Sequence, residues 1–420
     1  MPIQLDASTL DIASLIRPGE LVVYSDGSGE PVTLTEALID QAGRVGPFRI
    51  FAGITLADTL SKLQSDNVTL LSYGGAQKYF DLFKRGRLNV VPTHLSQLAR
   101  SFAEGLLAPD VALVVSAPPD ASGAFNLGPV AFHMPTVIER ARIVIAEVNP
   151  NVPWSSGDTT IAADRIDYVI HSRRPLAELV SRAPTQADTA IAENVVRLVP
   201  DRATIELGIG TIPDMIARYL VTKRDLGIHS GMLSDSIVDL LGSGAVTNRY
   251  KEIDTGCTVA GLYFGTPRLY QMLHRNPAVQ VRESFHTHGA RVLLKLGRFF
   301  AINSAVEVDL TGQVGAESIG GRYFGTVGGQ GDFQRAAIHS AGGRGIVALP
   351  SATPDGRLSR IVAKLGGPVT TARADADVIV TEYGIAELRG RTLEERAAAM
   401  IAIAHPDHRA ALTKAADDLV

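Results

Sequence analysis

The sequence predicts an α/β fold with two units, and three observations lead to this prediction. Short runs of four to six apolar, mostly β-branched residues recur along the chain, and such continuous runs are typical of strands buried on both faces of a parallel sheet. Amphipathic stretches with helical periodicity follow most of these runs. The chain has 420 residues, more than one compact core usually holds, so two units of roughly 150–250 residues are expected.

The predicted elements alternate as strand, short turn and helix. Three helices start beside residue types that commonly cap helix N-termini: Thr33, Ser234 and Thr266, the last of them followed by Pro267. This alternation predicts mostly parallel sheets covered by helices. The predicted strands are Leu21–Tyr24, Arg49–Ala52, Val111–Ser116, Ile143–Val148, Thr204–Leu207, Phe299–Asn303, Gly345–Leu349 and Val378–Thr381. The predicted helices are Leu34–Gln41, Leu95–Glu104, Pro213–Tyr219, Ser234–Leu241, Pro267–His274 and Leu393–Ala404.

The best candidate for a boundary between the two units is segment 172–188. Pro175 and Pro184 flank a polar helical stretch there, and prolines in such positions are typical of connecting segments. We therefore predict two α/β domains, residues 1–190 and residues 191–420.

Composition and charge exclude several classes of function. Lys and Arg number 40 and Asp and Glu number 44, which gives a formal net charge of −4 without any basic block for a nucleic-acid backbone. The single cysteine, Cys257, forms neither an intrachain disulfide nor a thiolate metal cluster. The N-terminal stretch lacks the layout of a secretion signal, and the apolar runs are far shorter than a membrane span. We expect a cytoplasmic protein with no nucleic-acid or membrane partner.

A glycine-rich turn follows the predicted strand Thr204–Leu207. Gly208 and Gly210 precede a predicted helix, so free backbone N–H groups at the helix start could face a phosphate or carboxylate. The dinucleotide-binding fingerprint fails because Pro213 stands where a third small residue is required. The alternative interpretation is a tight strand-to-helix turn that needs glycine geometry.

A second glycine-rich segment, GGRYFGTVGGQG, covers residues 320–331. Backbone N–H groups of Gly328, Gly329 and Gly331 could form a cup for an oxyanion, and the missing Cβ atoms would let a substrate approach the main chain. The alternative interpretation is a mobile surface loop.

Two histidines and one glutamate are further candidates for site residues. His286 and His288 could bind a metal if both rings faced one way, but no carboxylate stands at a spacing that completes such a site, so no metal is predicted. Each histidine could instead transfer protons or play a structural role. Glu382 follows the strand Val378–Thr381, at the end where open parallel sheets bind their ligands, and is a candidate for ligand contact or helix capping.

Several motifs occur together in an order that resembles the acetyl-CoA hydrolase/transferase family, close to its 4-hydroxybutyrate CoA-transferase branch. The resemblance covers almost the whole chain and is weakest before residue 110. The motifs are VSAPPDASGAFNLG (115–128), IAEVNPNVPWSSGD (145–158), ELGIGTIPDMI (206–216), GIHSGMLSDSIVDL (227–240), INSAVEVDLTGQV (302–314), VGGQGDF (327–333) and TEYGIAELRGRTLEERA (381–397).

The resemblance implies a fold, a substrate and a mechanism. Members have two open α/β domains of the CoA-transferase type, usually form homo-oligomers and act on acyl-CoA, with coenzyme A as substrate and no metal. A glutamate attacks the thioester and carries CoA to a small carboxylic acid as a covalent glutamyl-CoA. The backbone N–H of Gly328 or Gly329 would hold the oxyanion, and Glu382 matches a carboxylate near the reacting group.

Two positions depart from the pattern that the resemblance implies. The nucleophilic glutamate of the family falls at Gly231, which has no side chain. An asparagine that helps to hold the thioester oxygen falls at His288 in an ungapped count back from Asn303, or at His286 if the loop shifts by two. A general base titrating near neutrality could replace covalent attack, and we expect His288 or His286 to meet that requirement.

Three functions follow from these departures. The first is an acyl-CoA-processing enzyme that acts as a hydrolase or by an atypical mechanism, with water as the acyl acceptor. The second is a CoA-transferase between a small acyl-CoA and a carboxylate such as acetate or 4-hydroxybutyrate. The third is a catalytically inactive acyl-CoA-binding protein.

Overall fold

A computed structural model describes residues 2–74, 80–319, 322–323 and 325–417. They form an α/β fold with large, mostly parallel sheets, which confirms the predicted fold class. One compact unit contains the chain up to Val180 together with Val259–Thr287, and the other contains Ser181–Thr258 together with the chain from His288 onward. The sequence predicts a single division near residue 190, and no local pattern marks the return of the chain to the first unit.

The described strands and helices alternate along the chain. The strands are β1 (Ile3–Gln4), β2 (Leu21–Tyr24), β3 (Phe48–Phe51), β4 (Val68–Ser72), β5 (Leu88–Val90), β6 (Val111–Ser116), β7 (Phe125–Asn126), β8 (Ile143–Val148), β9 (Ser156–Gly157), β10 (Thr160–Ile161), β11 (Tyr168–His171), β12 (Thr204–Leu207), β13 (Gly227–Leu233), β14 (Thr258–Tyr263), β15 (Val279–Val281), β16 (Phe299–Asn303), β17 (Glu307–Asp309), β18 (Val314–Gly315), β19 (Ser318–Ile319), β20 (Arg322–Tyr323), β21 (Arg344–Ala348), β22 (Ile361–Val362), β23 (Val378–Thr381) and β24 (Gly384–Glu387). The α-helices are α1 (Val32–Gln41), α2 (Phe80–Lys84), α3 (Leu95–Ala103), α4 (Met134–Arg140), α5 (Gln186–Leu198), α6 (Thr211–Leu220), α7 (Ser236–Gly242), α8 (Pro267–Leu273), α9 (Ser284–Thr287), α10 (Ala290–Leu293), α11 (Gln330–His339), α12 (Leu393–Ile403) and α13 (Pro406–Ala416).

Six of the eight predicted strands have the predicted bounds, and β3 and β21 are displaced by one residue. The predictions succeed because these strands are buried along their length, as the all-buried strands β2, β6 and β12 illustrate. The six predicted helices are confirmed with shifts of one or two residues at their ends. None of the described helices has the length and the apolar character that crossing a bilayer requires.

The first unit is built on an eight-stranded sheet in the order β1-β11-β8-β6-β2-β3-β4-β5. All of its strand pairs are parallel. Apolar side chains from β2, β3 and β6 pack together with the inner face of α1 to form its core. Strands β14, β15 and β9 lie side by side in the same unit.

In the second unit, six strands follow the order β24-β23-β21-β16-β12-β13. All neighbours are parallel except β23 and β24, which are antiparallel. Helix α11 covers one face of this sheet, where Phe333 and Ala337 pack against Phe299 and Ala301 of β16. Because alternate residues of a strand share a face, Asn303 lies on the face that α11 covers.

A strand residue, and not the predicted Thr33, caps helix α1. The helix begins at Val32, so Thr33 lies inside its first turn, and Pro31 at the N-cap makes no side-chain cap. The buried carboxylate of Glu147 on β8 accepts hydrogen bonds from the backbone N–H groups of Thr33 (2.8 Å) and Leu34 (3.3 Å) and from the Thr33 hydroxyl (2.8 Å). A negative charge at this end also complements the helix dipole.

This arrangement predicts a large effect of Glu147→Gln on stability. The amide of Gln cannot accept all three hydrogen bonds, so we expect the free energy of unfolding to fall by about 2–4 kcal/mol in urea titrations. The control is Glu139→Gln, because Glu139 is exposed on α4, and a change within about 0.5 kcal/mol is expected there. Equal effects of the two substitutions would contradict a capping role for Glu147.

Candidate functional site

The carboxyl ends of β12, β16 and β13 form the candidate site of the second unit. The chain runs from β12 to β13 on one side and later places β16 on the other side of β12. Connections that leave neighbouring strands in opposite directions open a crevice at their carboxyl ends, where open α/β sheets bind ligands. Residues at the ends of β12 and β16 are therefore the first to consider.

The turn with Gly208 and Gly210 lies at this edge. Gly210 is the N-cap of α6 and has a φ of 116°, a conformation that favours glycine. The N–H of Gly208 donates to the carbonyl of Ile302 (3.0 Å), and a Cβ atom built at Gly208 would meet nothing closer than 3.6 Å among described atoms. Backbone geometry thus accounts for Gly210 but not for Gly208, and ligand binding by this turn stays a prediction.

His288 fills the space beside Gly231. A Cβ atom built at Gly231 would lie 2.8 Å from Nε2 of His288 and 3.1 Å from the ring of Phe333. Real Cβ atoms do not approach that closely, so glycine is the residue type that fits at position 231 while the imidazole is in place. His288 itself is 1% exposed.

The same imidazole contacts the start of helix α11. A Cβ atom built at Gly329, the N-cap of α11, would lie 2.8 Å from His288 and 3.0 Å from Phe333. Gly328 has a φ of 61°, and Gly331 lies in the first turn of α11. Gly320, Gly321 and Phe324 of the predicted glycine-rich segment lie outside the described residues. The structure therefore brings together Gly231, His288 and Gly329, three positions that the sequence singles out.

Burial changes the chemistry expected of His288. It lowers the pKa of the imidazole to about 3, because the charged form would lose its hydration. The expectation that His288 titrates near neutrality is therefore wrong: the ring is neutral at physiological pH and is a weak base. Its catalytic role stays a prediction. His286 belongs to the first unit, where it lies half-buried in α9 and its N–H donates to the carbonyl of Glu283 (3.0 Å).

A buried carboxyl group at the same edge was not predicted from the sequence. Glu206 of β12 is 3% exposed, and its Oε2 accepts a hydrogen bond from Nδ2 of Asn303 at the end of β16 (2.7 Å). Burial raises the pKa of Glu206 to about 8, although the Asn303 hydrogen bond opposes this shift. The signal that could have revealed it is an acidic residue inside the apolar strand Thr-Ile-Glu-Leu.

Glu382 lies elsewhere along the same edge. Its Oε1 and Oε2 accept hydrogen bonds from the hydroxyl (2.7 Å) and backbone N–H (2.9 Å) of Ser351. Strand β23, which it follows, is four positions from β13 in the sheet, or ~19 Å at the usual strand spacing. Among described residues, the structure thus places Glu382 apart from Gly231, and its predicted catalytic role stays a prediction.

Glu382 lines a cavity of about 970 Å³. Arg182 in its wall forms two hydrogen bonds with Asp188 (2.8 and 3.0 Å). Arg360 donates through Nη1 to the carbonyl of Val306 (3.1 Å), while its buried Nε has no acceptor among described residues. The lining also includes Thr185, Gln186, Thr353, Tyr383 and His405.

Comparisons with known proteins agree with this architecture. Family models of the acetyl-CoA hydrolase/transferase N-terminal and C-terminal domains match residues 6–180 and 265–416. The chain is 38% identical to 4-hydroxybutyrate coenzyme A transferase of Clostridium kluyveri, over 95% of this chain and 94% of that protein. It is 27% identical to an acetyl-CoA hydrolase of Eremothecium gossypii, over 64% of this chain and 47% of that protein. The crystal structure of RipA from Yersinia pestis superposes with a TM-score of 0.93 at 31% identity, over 99% of this chain and 97% of that chain.

The contact between Gly231 and His288 predicts that Gly231→Ala is destabilising. The added Cβ must displace the imidazole or the Phe333 ring, so we expect a loss of about 1–3 kcal/mol in the free energy of unfolding. The control is Gly242→Ala at the end of α7, where an added Cβ would have no described atom within 4 Å.

A His288→Ala background tests the cause of that loss. With the ring removed, we expect Gly231→Ala to lose most of its effect, so the two substitutions should be non-additive in urea titrations. An unchanged penalty in this background would assign the strain to another contact.

Proposed function

The chain belongs to the acetyl-CoA hydrolase/transferase family, and we propose that it hydrolyses acyl-CoA thioesters with water as the acyl acceptor, without a covalent glutamyl-CoA at position 231. The observation that carries this proposal is the pair formed by Gly231 and His288. The family resemblance implies a nucleophilic glutamate at this position, and here the imidazole of His288 fills the space where its side chain would begin. A carboxylate cannot attack from there.

The start of α11 supports activation of the thioester. Backbone N–H groups at Gly328 and Gly329 precede a helix whose dipole favours negative charge at its N-terminus. We propose that they hold the oxyanion that forms when water adds to the carbonyl. The C–S bond then breaks, the acyl group leaves as a carboxylic acid, and the CoA sulfur receives a proton.

His288 acts in this proposal as a positioning residue and not as the base. Its low pKa means that it holds a proton poorly at neutral pH. Its ring contacts both Gly231 and Gly329, so it fixes the distance between β13 and the start of α11. His286 remains a second candidate for proton transfer, within the first unit.

Transfer of CoA to a small carboxylic acid is the second candidate function. It is favoured by the 4-hydroxybutyrate coenzyme A transferase relative, which is both more similar and more completely aligned than the hydrolase relative. Without a nucleophile at position 231, the acceptor carboxylate would have to attack the thioester directly. The reaction would then require both substrates on the enzyme at once. A catalytically inactive acyl-CoA-binding protein is the remaining alternative.

Assembly, compartment and metal requirement belong to the same proposal. We propose a homo-oligomer that acts in the cytoplasm, uses acyl-CoA as substrate and needs no metal. Light scattering of the purified protein measures the oligomer, and activity that survives extensive EDTA treatment is the expected result for a metal-independent enzyme.

A panel of acetyl-, butyryl- and 4-hydroxybutyryl-CoA, with and without acetate, separates the three functions. We expect free thiol to appear without any acceptor, as measured with a thiol reagent. New acyl-CoA that forms only when acetate is added would establish transfer instead. Tight binding in calorimetry with no turnover under either condition would identify an inactive binding protein.

Restoring a carboxylate at position 231 tests the mechanism. Gly231→Glu combined with His288→Ala provides both the nucleophile and the space for it, so we expect a CoA adduct at position 231 that borohydride reduces and peptide mass spectrometry locates. Gly231→Gln with His288→Ala is the control of matched size and should form none. A glutamyl-CoA adduct in the unmodified protein would refute the proposal.

The cavity beside Glu382 suits the phosphate-bearing end of CoA. Arg360 lines this cavity, and guanidinium groups bind phosphates well. We expect Arg360→Gln to raise KM for acyl-CoA about tenfold, the effect of ~1.4 kcal/mol, while kcat stays nearly constant.

Two controls make this measurement specific. The KM for an acyl-pantetheine, which lacks the nucleotide, should not change in Arg360→Gln. Arg357→Gln removes a neighbouring guanidinium whose side chain is 84% exposed and should leave both KM values unchanged. Equal losses with both substrates would exclude phosphate contact by Arg360.

A further inference from the structure

We propose that Glu206 is the acid–base group of this hydrolysis, accepting a proton from the attacking water and returning it to the sulfur of the departing CoA. The inference rests on the proposed function and names the group that it leaves open. Three features of the second unit carry it: the place of Glu206 in the sheet, the face on which its side chain lies, and its surroundings.

Glu206 lies where the connections between the strands change direction. It is the second-to-last residue of β12. Asn303 is the last residue of the neighbouring strand β16 and donates a hydrogen bond to the carboxyl group of Glu206. The crevice between the carboxyl ends of β12 and β16 is the position at which open α/β sheets bind ligands. A buried carboxyl group at the edge of that crevice is thus next to the expected substrate position.

The register of β12 and β13 sets Glu206 on the same face as Gly231. Thr204 pairs with Gly227 in parallel, and the hydroxyl of Ser230 contacts both the N–H (3.3 Å) and the carbonyl (3.0 Å) of Leu207, which continues the register. Alternate residues share a face, so Glu206 lies on the face of Gly231, one strand away. This is the face where the imidazole of His288 also lies against Gly231.

Other titratable groups lie on the elements around this position. His229 of β13 is fully buried and lies 3.9 Å from Asp254, and His288 is a weak base for the reason given above. Asp214 of α6 accepts hydrogen bonds from the hydroxyls of Ser181 and Ser234. Asp332 lies in the first turn of α11.

The protonation of Glu206 near neutral pH suits both proton transfers of the hydrolysis. With its pKa raised to about 8 by burial, roughly one molecule in ten carries the carboxylate at pH 7. The carboxylate removes a proton from water as the new C–O bond forms. After the C–S bond breaks, the protonated Glu206 gives that proton to the thiolate, so thioester and water yield carboxylic acid and free CoA.

The pH profile is the first test. Since kcat/KM follows the ionised base of the free enzyme, it should rise with pH and level off above about 8. Asn303→Ala removes a hydrogen bond that stabilises the carboxylate, so the profile should move to higher pH in that variant. If Glu206 has a purely structural role, the profile of the unmodified protein should not rise towards pH 8, and the profile of Asn303→Ala should not shift.

Substitution of Glu206 is the second test. Glu206→Gln should lower kcat by about 10²–10⁴ fold, the usual contribution of a general base, with a small change in KM and without the rise in rate near pH 8. Glu206→Asp keeps the carboxyl group and should retain part of the activity. Glu307→Gln on β17 is the control outside the site and should leave the rate unchanged.

Stability measurements check the titration independently of catalysis. The pKa of Glu206 in the folded protein lies well above the 4.5 of an unburied glutamate, so the folded state binds the proton more tightly. Its contribution to stability is full below pH 4.5 and is lost as the pH rises through about 8. Glu206→Gln should therefore gain stability relative to the unmodified protein between pH 5 and pH 8.

The possible outcomes separate this inference from the proposed function. If the unmodified protein releases thiol and Glu206→Gln stays within threefold of it with the same pH profile, the inference is overturned and the hydrolase proposal stands. If the unmodified protein releases no thiol from any acyl-CoA of the panel, the proposed function fails and the role of Glu206 fails with it. If Glu206→Gln does not fold, Glu206→Asp and the shifted profile of Asn303→Ala decide.

Discussion

The contact of one imidazole with two glycines is the constraint on which the candidate site depends. His288 lies against Gly231 of β13 and Gly329 at the start of α11, and neither position has room for a Cβ atom while the ring is there. A close-packed interior transmits such a constraint, because a neighbour that cannot shift fixes the residue type beside it. The spacing between strand and helix, the absence of a side chain at position 231 and the burial of the imidazole are thus three aspects of one packing arrangement.

The same burial acts in opposite directions on the two ionisable groups at this edge. Loss of hydration disfavours the charged form of each, so the pKa of His288 falls to about 3 while that of Glu206 rises to about 8. The group that can exchange a proton near neutral pH is therefore the carboxyl group of Glu206 and not the imidazole of His288. Asn303 moderates the shift of Glu206 because it donates a hydrogen bond to the carboxylate. A residue type alone does not identify the base of a buried site.

Local patterns predicted the strands well, because a run such as Val111–Ser116 is buried on both faces and its composition reflects this directly. Motif order likewise predicted the family. The cap of α1 was not predictable, since Glu147 reaches Thr33 from a distant strand. Glu206 and Asn303 were missed for the same reason: their contact arises from the order of β12 and β16 in the sheet, which no local pattern encodes. The burial that makes His288 a weak base also follows from packing.

In the proposed mechanism, the loss of a covalent nucleophile leaves the other catalytic groups in place. Stabilisation of an oxyanion depends on fixed N–H groups, which we propose at Gly328 and Gly329, and is physically independent of the group that attacks the carbonyl. A preorganised oxyanion site still lowers the barrier for any nucleophile that reaches the carbonyl, water included. In the proposed mechanism the site must also supply a proton acceptor, and we assign this role to Glu206, whose pKa burial raises to about 8. The scaffold can therefore keep its substrate and its electrophile activation while the acyl acceptor changes.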